Sequence, residues 1–504
     1  MYLQKIRKIT IFGGGTSGWL TAAYLVNNLK IPTEIVLIED SDQGPIGVGE
    51  GTQPFTAKFL SQCGLLPHMW MKDSNASLKY GVELTGWNDE PYFVDNDNQD
   101  NCIIAYDFYT SDYFIDKPYS EFAKWHPSYR LAKSNTSQKF DGYLDVNHRM
   151  GAGDYGAVHF SAYDIIKSIK NLILDKITYV DIRISDITMS QSGVDSLIAE
   201  DGTKYTSDLF IDCTGFASIL LEKKLKVPFT DYTRWLPNDN AVVIRTQYTN
   251  PQEQCHPYTK ATAMDSGWMF TIPTYKSIGN GYVYSSKFIS AEDAEQELRN
   301  KIGEFVAPSK HLKMKCGYHK EIALKNVCAV GLSAGFVEPL EATGITFTTA
   351  VVSDIAAVLN NGGNIWGEQQ KSLINQNFCF MSEEILAFVW AHYHFSTKND
   401  TEYWKSFRTQ SINDLPETPK QLLNLFLPIP KRFLTIAPNS MFNVVQWFSV
   451  LHAGGAYKDV ESYLTDNQKR YAEYFLECHT KRLDLAEEMF DNHYDFLTDW
   501  YNSQ

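Results

Sequence analysis

An α/β fold with a mainly helical module attached to it is what the sequence predicts, on three features. Residues 8–12 (KITIF) and 34–38 (EIVLI) are apolar runs of strand length, separated by a glycine-rich turn and a helical pattern over 17–29. Two later runs, 208–213 (DLFIDC) and 326–330 (NVCAV), also end in glycine turns. Residues 366–504 hold segments such as EEILAFVWAHY and NQKRYAEYFLECHTKRLDLAEEMF, whose apolar residues recur at helical spacing.

The first unit has the order a dinucleotide fold demands. Gly13, Gly15 and Gly18 permit a tight turn and close backbone approach, and Thr16 and Ser17 open the helix whose N-terminus would face a pyrophosphate. Glu39 ends the second strand about 20 residues on, where an acid accepts hydrogen bonds from a ribose. This predicts a Rossmann-like core. Gly151, Gly153 and Gly156 repeat the glycine spacing, but the preceding DVNHRM makes no buried strand, so they read as a loop into a helix around His159 to Ile169. A nicotinamide site, and with it direct hydride transfer from NADH, is therefore not expected.

Residues 208–216 (DLFIDCTGF) read as a buried strand delivering Asp212 and a turn at Gly215. The pattern is similar to the second fingerprint of FAD enzymes of the hydroxylase-like fold, in which the aspartate lies near the ribityl and pyrophosphate region. The strand before Gly331-Leu332-Ser333-Ala334-Gly335 repeats the order, so FAD would pass three separated segments, the third at Leu332 and Gly335. In Gly267-Trp268-Met269-Phe270-Thr271-Ile272-Pro273, strand geometry puts Trp268, Phe270 and Ile272 on one face, ahead of Pro273. Phe336 to Ile345 (FVEPLEATGI) leads into the apolar helical run TFTTAVVSDIAAVL. Unpaired amides near Thr343 and Gly344, at the positive end of that helix, can hold a small anion without a basic side chain. Taken alone, Glu341 reads as an acid favoured by the helix dipole and Thr343 as a cap.

A chain of 504 residues corresponds to roughly three domains. Residues 1–60 and 150–365 read as the FAD-binding core, and 61–149 with 366–504 as a substrate module packed on it. NDEPYFVDNDNQDN (88–101) reads as a mobile surface loop. A net charge of −15 with no basic tract argues against nucleic acid or an anionic membrane as partner, leaving a small molecule. No window offers the roughly 20 apolar residues of a membrane span, and MYLQKIRKIT lacks a signal peptide's apolar region, so a cytoplasmic location is expected. The eight cysteines form no Cys-x-x-Cys pair and read as reduced thiols. Cys255-His256 and His392-Tyr393-His394 lack companions at zinc-like spacing, so no metal is expected.

Six features together carry a family resemblance. GWMFTIP is similar to the Trp-x-Trp-x-Ile-Pro signature of flavin-dependent halogenases, with Phe270 at the second tryptophan, and PLEATG resembles their Pro-Leu-Glu-Ser-Thr-Gly motif, with Ala342 at the serine. Gly47-Val48-Gly49-Glu50-Gly51-Thr52-Gln53-Pro54 resembles the segment that closes over the flavin, and Lys79 matches the essential lysine beyond it. With the first fingerprint and DLFIDCTGF these stand in family order, over about residues 5 to 405.

The resemblance implies an enzyme using FAD, O2 and a halide ion, with reduced FAD supplied by a separate NAD(P)H flavin reductase that need form no stable complex. Gly49 and Glu50 of the flap, and Ile345, would join the cofactor contacts, and the Thr343 and Gly344 amides would hold the halide. Hypohalous acid made at the flavin would pass Trp268 and Phe270 to reach Lys79, with Glu341 polarising the electrophile or taking the proton lost from the aromatic ring. Loss of a hydroxyl at Ala342 leaves a less polar niche and predicts bromide or iodide ahead of chloride. Residues 430–457 (PKRFLTIAPNSMFNVVQWFSVLHAGGAY) contain no acid to pair with an amino-acid ammonium and include Lys431 and Arg432, while Phe442, Trp447 and Phe448 can wall an aromatic ring. An electron-rich indole or phenol without a free amino-acid backbone is therefore the expected substrate. His392-Tyr393 and Tyr403-Trp404 match family positions and read as packing. The alternative is a flavin-dependent aromatic monooxygenase, which would need neither Lys79 nor the aromatic wall.

Overall fold

In the computed structural model, which describes residues 4–42, 49–96, 110–137, 157–427 and 440–503, the first predicted unit folds as strand Lys8–Phe12, helix Thr16–Asn28 and strand Glu34–Glu39. Strand Lys8–Phe12 pairs in parallel with Glu34–Glu39 on one side and Leu209–Asp212 on the other. Thr178–Asp181 and Val327–Ala329 extend the sheet in parallel, and Ala323–Leu324 ends it antiparallel. Both faces are covered, which is why Ile9, Ile11, Val36, Leu37, Leu209 and Ile211 form near-continuous apolar runs. The chain leaves the central strand in opposite directions on its two sides, and ligands of such sheets bind in the crevice this opens at the strands' carboxyl ends. Gly13, with φ +119°, lies there; a Cβ on it would meet the Cys213 carbonyl oxygen at 2.3 Å.

A second sheet of seven strands runs in the order Ser309–Lys313, Asn240–Thr246, Ser277–Tyr284, Gly267–Thr274, Thr259–Met264, Gly81–Thr85, Tyr92–Asp95. All its pairings are antiparallel except that of Thr259–Met264 with Gly81–Thr85. Residues 81–95 and 240–313 thus share one framework, and within the predicted loop at 88–101, of which 97–101 lie outside the described residues, Tyr92–Asp95 is a fully buried strand. Its apolar residues Tyr92, Phe93 and Val94 are hidden in the sequence by flanking Asn and Asp. His159, expected in a helix, lies in strand Ala157–Phe160, between Glu50–Gly51 and Ser77–Lys79; the helix begins at Ala162. Gly151, Gly153 and Gly156 lie outside the described residues.

The C-terminal part is helical as expected, with Glu368–Phe395, Val444–Ala453, Asp466–Met489 and His493–Ser503 as its main elements. Helix Gly344–Asn361 packs between Thr16–Asn28 and Glu368–Phe395, joining the nucleotide unit to the helical part. Among the described residues no helix is long and apolar enough to cross a membrane.

Candidate functional site

The turn around Glu341 is built by a change of backbone hand. Pro339–Glu341 makes one 3₁₀ turn, Ala342 adopts a left-handed conformation (φ 55°, ψ 40°), and Thr343 then caps helix Gly344–Asn361. Ala342 carries a small side chain through a conformation that L-residues seldom adopt. The reversal leaves Glu341 fully buried, and neither of its carboxylate oxygens has a hydrogen-bond partner among the described residues. The hydroxyls of Thr343 and Thr346 are buried and unpartnered in the same way. Burying an unpaired carboxylate is costly, so such a group marks a place where something else completes the bonding. His392 Nε2 approaches Glu341 Oε1 to 3.2 Å but off the line of a hydrogen bond. The amides of Gly344 and Ile345, in the helix's first turn, have no intrahelical acceptor, and Ile345 is buried beside them.

Lys79 reaches the same place from strand Ser77–Lys79. It is 1% exposed, and its ammonium donates to the Thr52 carbonyl at 3.0 Å. Burial pushes its pKa down to about 8, with the Glu341 charge pulling the other way. Gly51 is wedged between the two segments: a Cβ there would lie 3.5 Å from Ala342 Cβ and 3.6 Å from both Lys79 Cδ and the His159 ring. Next in the chain, the Gln53 side-chain amide donates to the Glu341 carbonyl at 2.5 Å. Glu50, one residue before Gly51, has its carboxyl pushed up to about 7 by burial. Gly47 and Val48 of the predicted flap lie outside the described residues.

The aromatic wall has the predicted alternation. Trp268, Phe270, Ile272 and Pro273 are all buried, with the Trp268 and Phe270 rings 6.1 Å apart. The Phe270 ring lies over Gly281 of the adjacent strand, where a Cβ would meet it at 2.1 Å. At the far end, Gly49 of the flap (φ +122°) faces Ile272 and Thr274. Trp268 is held by a residue absent from the sequence-based site: its indole N–H donates to Glu338 at 3.3 Å. Glu338 is fully buried, accepts from Asn238 at 2.8 Å and from the Tyr393 hydroxyl, and is pushed up to about 7 by burial. Tyr403 donates to Asn238 at 3.0 Å, so Tyr393 and Tyr403 do more than pack.

The nucleotide crevice fits a dinucleotide. A Cβ on Gly15, Gly215 (φ +64°) or Gly344 would meet nothing within 4 Å, so the backbone there is open to a ligand. Thr16 and Ser17 begin the helix as expected; the Ser17 hydroxyl lies 2.8 Å from that of Thr348. Two of the expected residues are also held by the protein. Glu39 accepts from Trp19 at 3.1 Å through one oxygen and from Lys170 at 2.6 Å and Tyr179 through the other, which leaves one acceptor site on the first. Asp212 accepts from the Thr214 amide and hydroxyl and from the Leu220 and Leu221 amides, so it ties the turn at Gly215. Leu332 is half-buried, but Gly335 serves packing, since a Cβ there would press on Tyr318. Gly331, not among the expected residues, is the one that approaches Ser17, at φ +68°.

The expected ring wall at 442–448 divides. Phe442 stacks on Phe388 at 3.8 Å, and Trp447 meets Phe388 edge-on at 4.8 Å, with its indole N–H buried and unpartnered among the described residues. Phe448 points away, against Phe122 and Tyr457, because it is one helical position on from Trp447. An acid does reach this segment, from helix Glu368–Phe395. Glu384 accepts from the Ser440 hydroxyl and from the Met441 and Phe442 amides, and burial pushes it up to about 7. Its oxygens thus hold backbone rather than a ligand. Lys431 and Arg432 lie outside the described residues.

Residues 8–470 match the family described as tryptophan halogenase. The chain is 30% identical over 430 residues to the 7-chloro-L-tryptophan 6-halogenase KtzR of Kutzneria sp. (strain 744), covering 81% of this chain and 83% of that one. The crystal structure of the tryptophan 6-halogenase SttH from Streptomyces toxytricini superposes with a TM-score of 0.86 at 26% identity, over 97% of this chain and 99% of the other. A tryptophan halogenase from Shewanella frigidimarina has the same fold, with a TM-score of 0.87 at 24% identity over 99% and 98% of the two chains.

Proposed function

The chain belongs to the tryptophan halogenase family, and from that premise we propose that it halogenates an electron-rich indole or phenol through Lys79 and Glu341, with bromide or iodide preferred to chloride. The observation that carries this is the meeting of a buried ammonium and a buried carboxylate without hydrogen-bond partners, from segments far apart in the chain, beside a helix start with open amides.

Reduced FAD, delivered by a separate flavin reductase and bound across Gly13, Gly15 and Gly215, would supply with O2 the two-electron oxidation of halide to hypohalous acid. The Thr343 and Gly344 amides hold the halide by partial positive charge alone. Trp268 and Phe270 keep an aromatic ring from the flavin while passing a small oxidant. The Lys79 ammonium donates a hydrogen bond to the oxygen of hypohalous acid, which makes the halogen more electrophilic. As the ring carbon bonds to halogen, the O–X bond breaks and the oxygen takes a proton from Lys79 to leave as water. Glu341 accepts the proton lost from the ring, and its transfer to Lys79 restores both groups.

Ala342 contributes no hydroxyl of its own to the niche, and a less polar niche penalises the strongly hydrated chloride most. Indole recognition is supported by the relatives named for tryptophan. Among the described residues, the acid that contacts residues 440–442, Glu384, is already occupied by backbone donors and offers no counter-charge to an amino-acid ammonium. One assay tests these points: reduced FAD, O2 and equal chloride and bromide with simple indoles, phenols and free tryptophan, read by halogen isotope patterns. Brominated simple indoles are expected to dominate, and NADH plus oxidised FAD without a reductase should give almost no product. Oxygen insertion without halogen would establish the monooxygenase instead, and a kcat/KM for tryptophan well above that for indole would overturn the substrate assignment.

A further inference from the structure

Resting on the halogenase reading, we propose that Tyr92 is a positioning residue that fixes the tautomer of His392, so that the His392 Nε2–H faces the Glu341 carboxylate. The Tyr92 hydroxyl oxygen lies 2.7 Å from His392 Nδ1, and across the same ring Nε2 lies 3.2 Å from Glu341 Oε1. The three side chains are 2%, 1% and 0% exposed, so water does not compete for these atoms. A neutral imidazole carries one N–H and offers a lone pair at the other nitrogen. A lone pair turned on a carboxylate is repelled, which places the proton on Nε2 and makes Nδ1 an acceptor. Tyr92 supplies the O–H that Nδ1 then needs, and burial, reinforced by the Glu341 charge, holds that hydroxyl well above its ordinary pKa and therefore protonated.

Packing keeps the ring in this orientation. Tyr92 stacks on His392 at 5.9 Å, Phe388 meets it edge-on at 5.1 Å, and Trp87 closes another side at 6.3 Å. Glu384, Phe388 and His392 repeat every fourth residue on helix Glu368–Phe395, so one ridge pins residues 440–442, stacks on Phe442 and approaches Glu341. The partial positive charge of Nε2–H then lies beside one Glu341 oxygen without a hydrogen bond to it, and both oxygens keep their accepting capacity for the ring proton. The Tyr92 hydroxyl meets His392 rather than Glu341, so it acts through the imidazole.

The test combines spectroscopy with a double-mutant cycle. In ¹⁵N-histidine-labelled native protein, with His392→Gln used to assign the signals, His392 is expected as the neutral Nε2–H tautomer, and Tyr92→Phe should convert it to a mixture. Tyr92→Phe should lower product formation about tenfold, the scale of one hydrogen bond, with KM and flavin reoxidation unchanged. In the His392→Gln background, whose amide needs no tautomer, Tyr92→Phe should cost under about twofold. An imidazolium or Nδ1–H tautomer in the native protein, or equal losses in both backgrounds, would overturn the proposal. If the native protein makes no halogenated product, the halogenase reading falls, and the tautomer spectra alone decide the role of Tyr92.

Discussion

Lys79→Ala is expected to cut halogenated product by about a thousandfold or more, on the order of 4 kcal/mol of barrier, while flavin reoxidation by O2 continues at the native rate. The expectation follows from where the ammonium is: buried at 1% exposure, bonded to the Thr52 carbonyl, beside Glu341 and separate from the nucleotide turn at Gly13 to Gly18. Truncation also leaves a cavity, so Lys79→Met, which keeps the volume, should lose product equally while retaining thermal stability. Product formation and flavin reoxidation falling together would place Lys79 at the flavin instead. The native pH profile separates two ways of using the lysine. Burial lowers its pKa to about 8, so the ammonium is present below that pH and lost as pH rises through it. A hydrogen-bond donor therefore predicts a rate that falls above about pH 8, whereas attack by the free amine to form a haloamine predicts one that rises.

Glu341→Gln should slow product formation by about 10² to 10³, within the usual range for a positioned general base, again without slowing flavin reoxidation. The amide keeps the volume and the Gln53 bond to the backbone carbonyl, and it removes only the capacity to take a proton. Stability should move the other way. A fully buried carboxylate without hydrogen-bond partners is expensive to fold around, so the neutral variant is expected to have an equal or higher Tm. A variant with a lower Tm and proportionally slower reoxidation would make Glu341 a structural acid of the flavin unit.

Reading the sequence located what repeats and what is apolar. The strands at 8–12, 34–39 and 209–212 announce themselves because both faces are buried, and Trp268, Phe270 and Ile272 because alternation on one strand face is local information. Lys79 and Glu341 were legible through the family order of their motifs. Tyr92–Asp95 was missed because Asn and Asp on either side read as loop, although the strand is fixed by pairing with Gly81–Thr85. Glu338 lay inside a recognised motif, yet nothing local says that its donors would be Trp268, Asn238 and Tyr393, residues 55 or more positions away. Asp212 and Glu39 show the converse: a correctly placed acid need not be free, and each had found protein donors first. Phe448 was misassigned by reading a run of aromatics as one wall when a helix turns successive side chains about 100° apart.

The parallel pairing of Gly81–Thr85 with Thr259–Met264 has a kinetic meaning. Val82 must find Thr259 across a long stretch of intervening chain, and strand Ser77–Lys79 must find Ala157–Phe160, before Lys79 faces anything. Such distant contacts return their energy only after loop closure has been met, so they form slowly and late. The nucleotide unit, built from the near neighbours 8–39, can gain structure early, whereas the chamber exists only once the seven-stranded sheet has closed. Until Gly81–Thr85 pairs with it, Thr259–Met264 presents an unpaired strand edge, which makes this edge an aggregation hazard during synthesis.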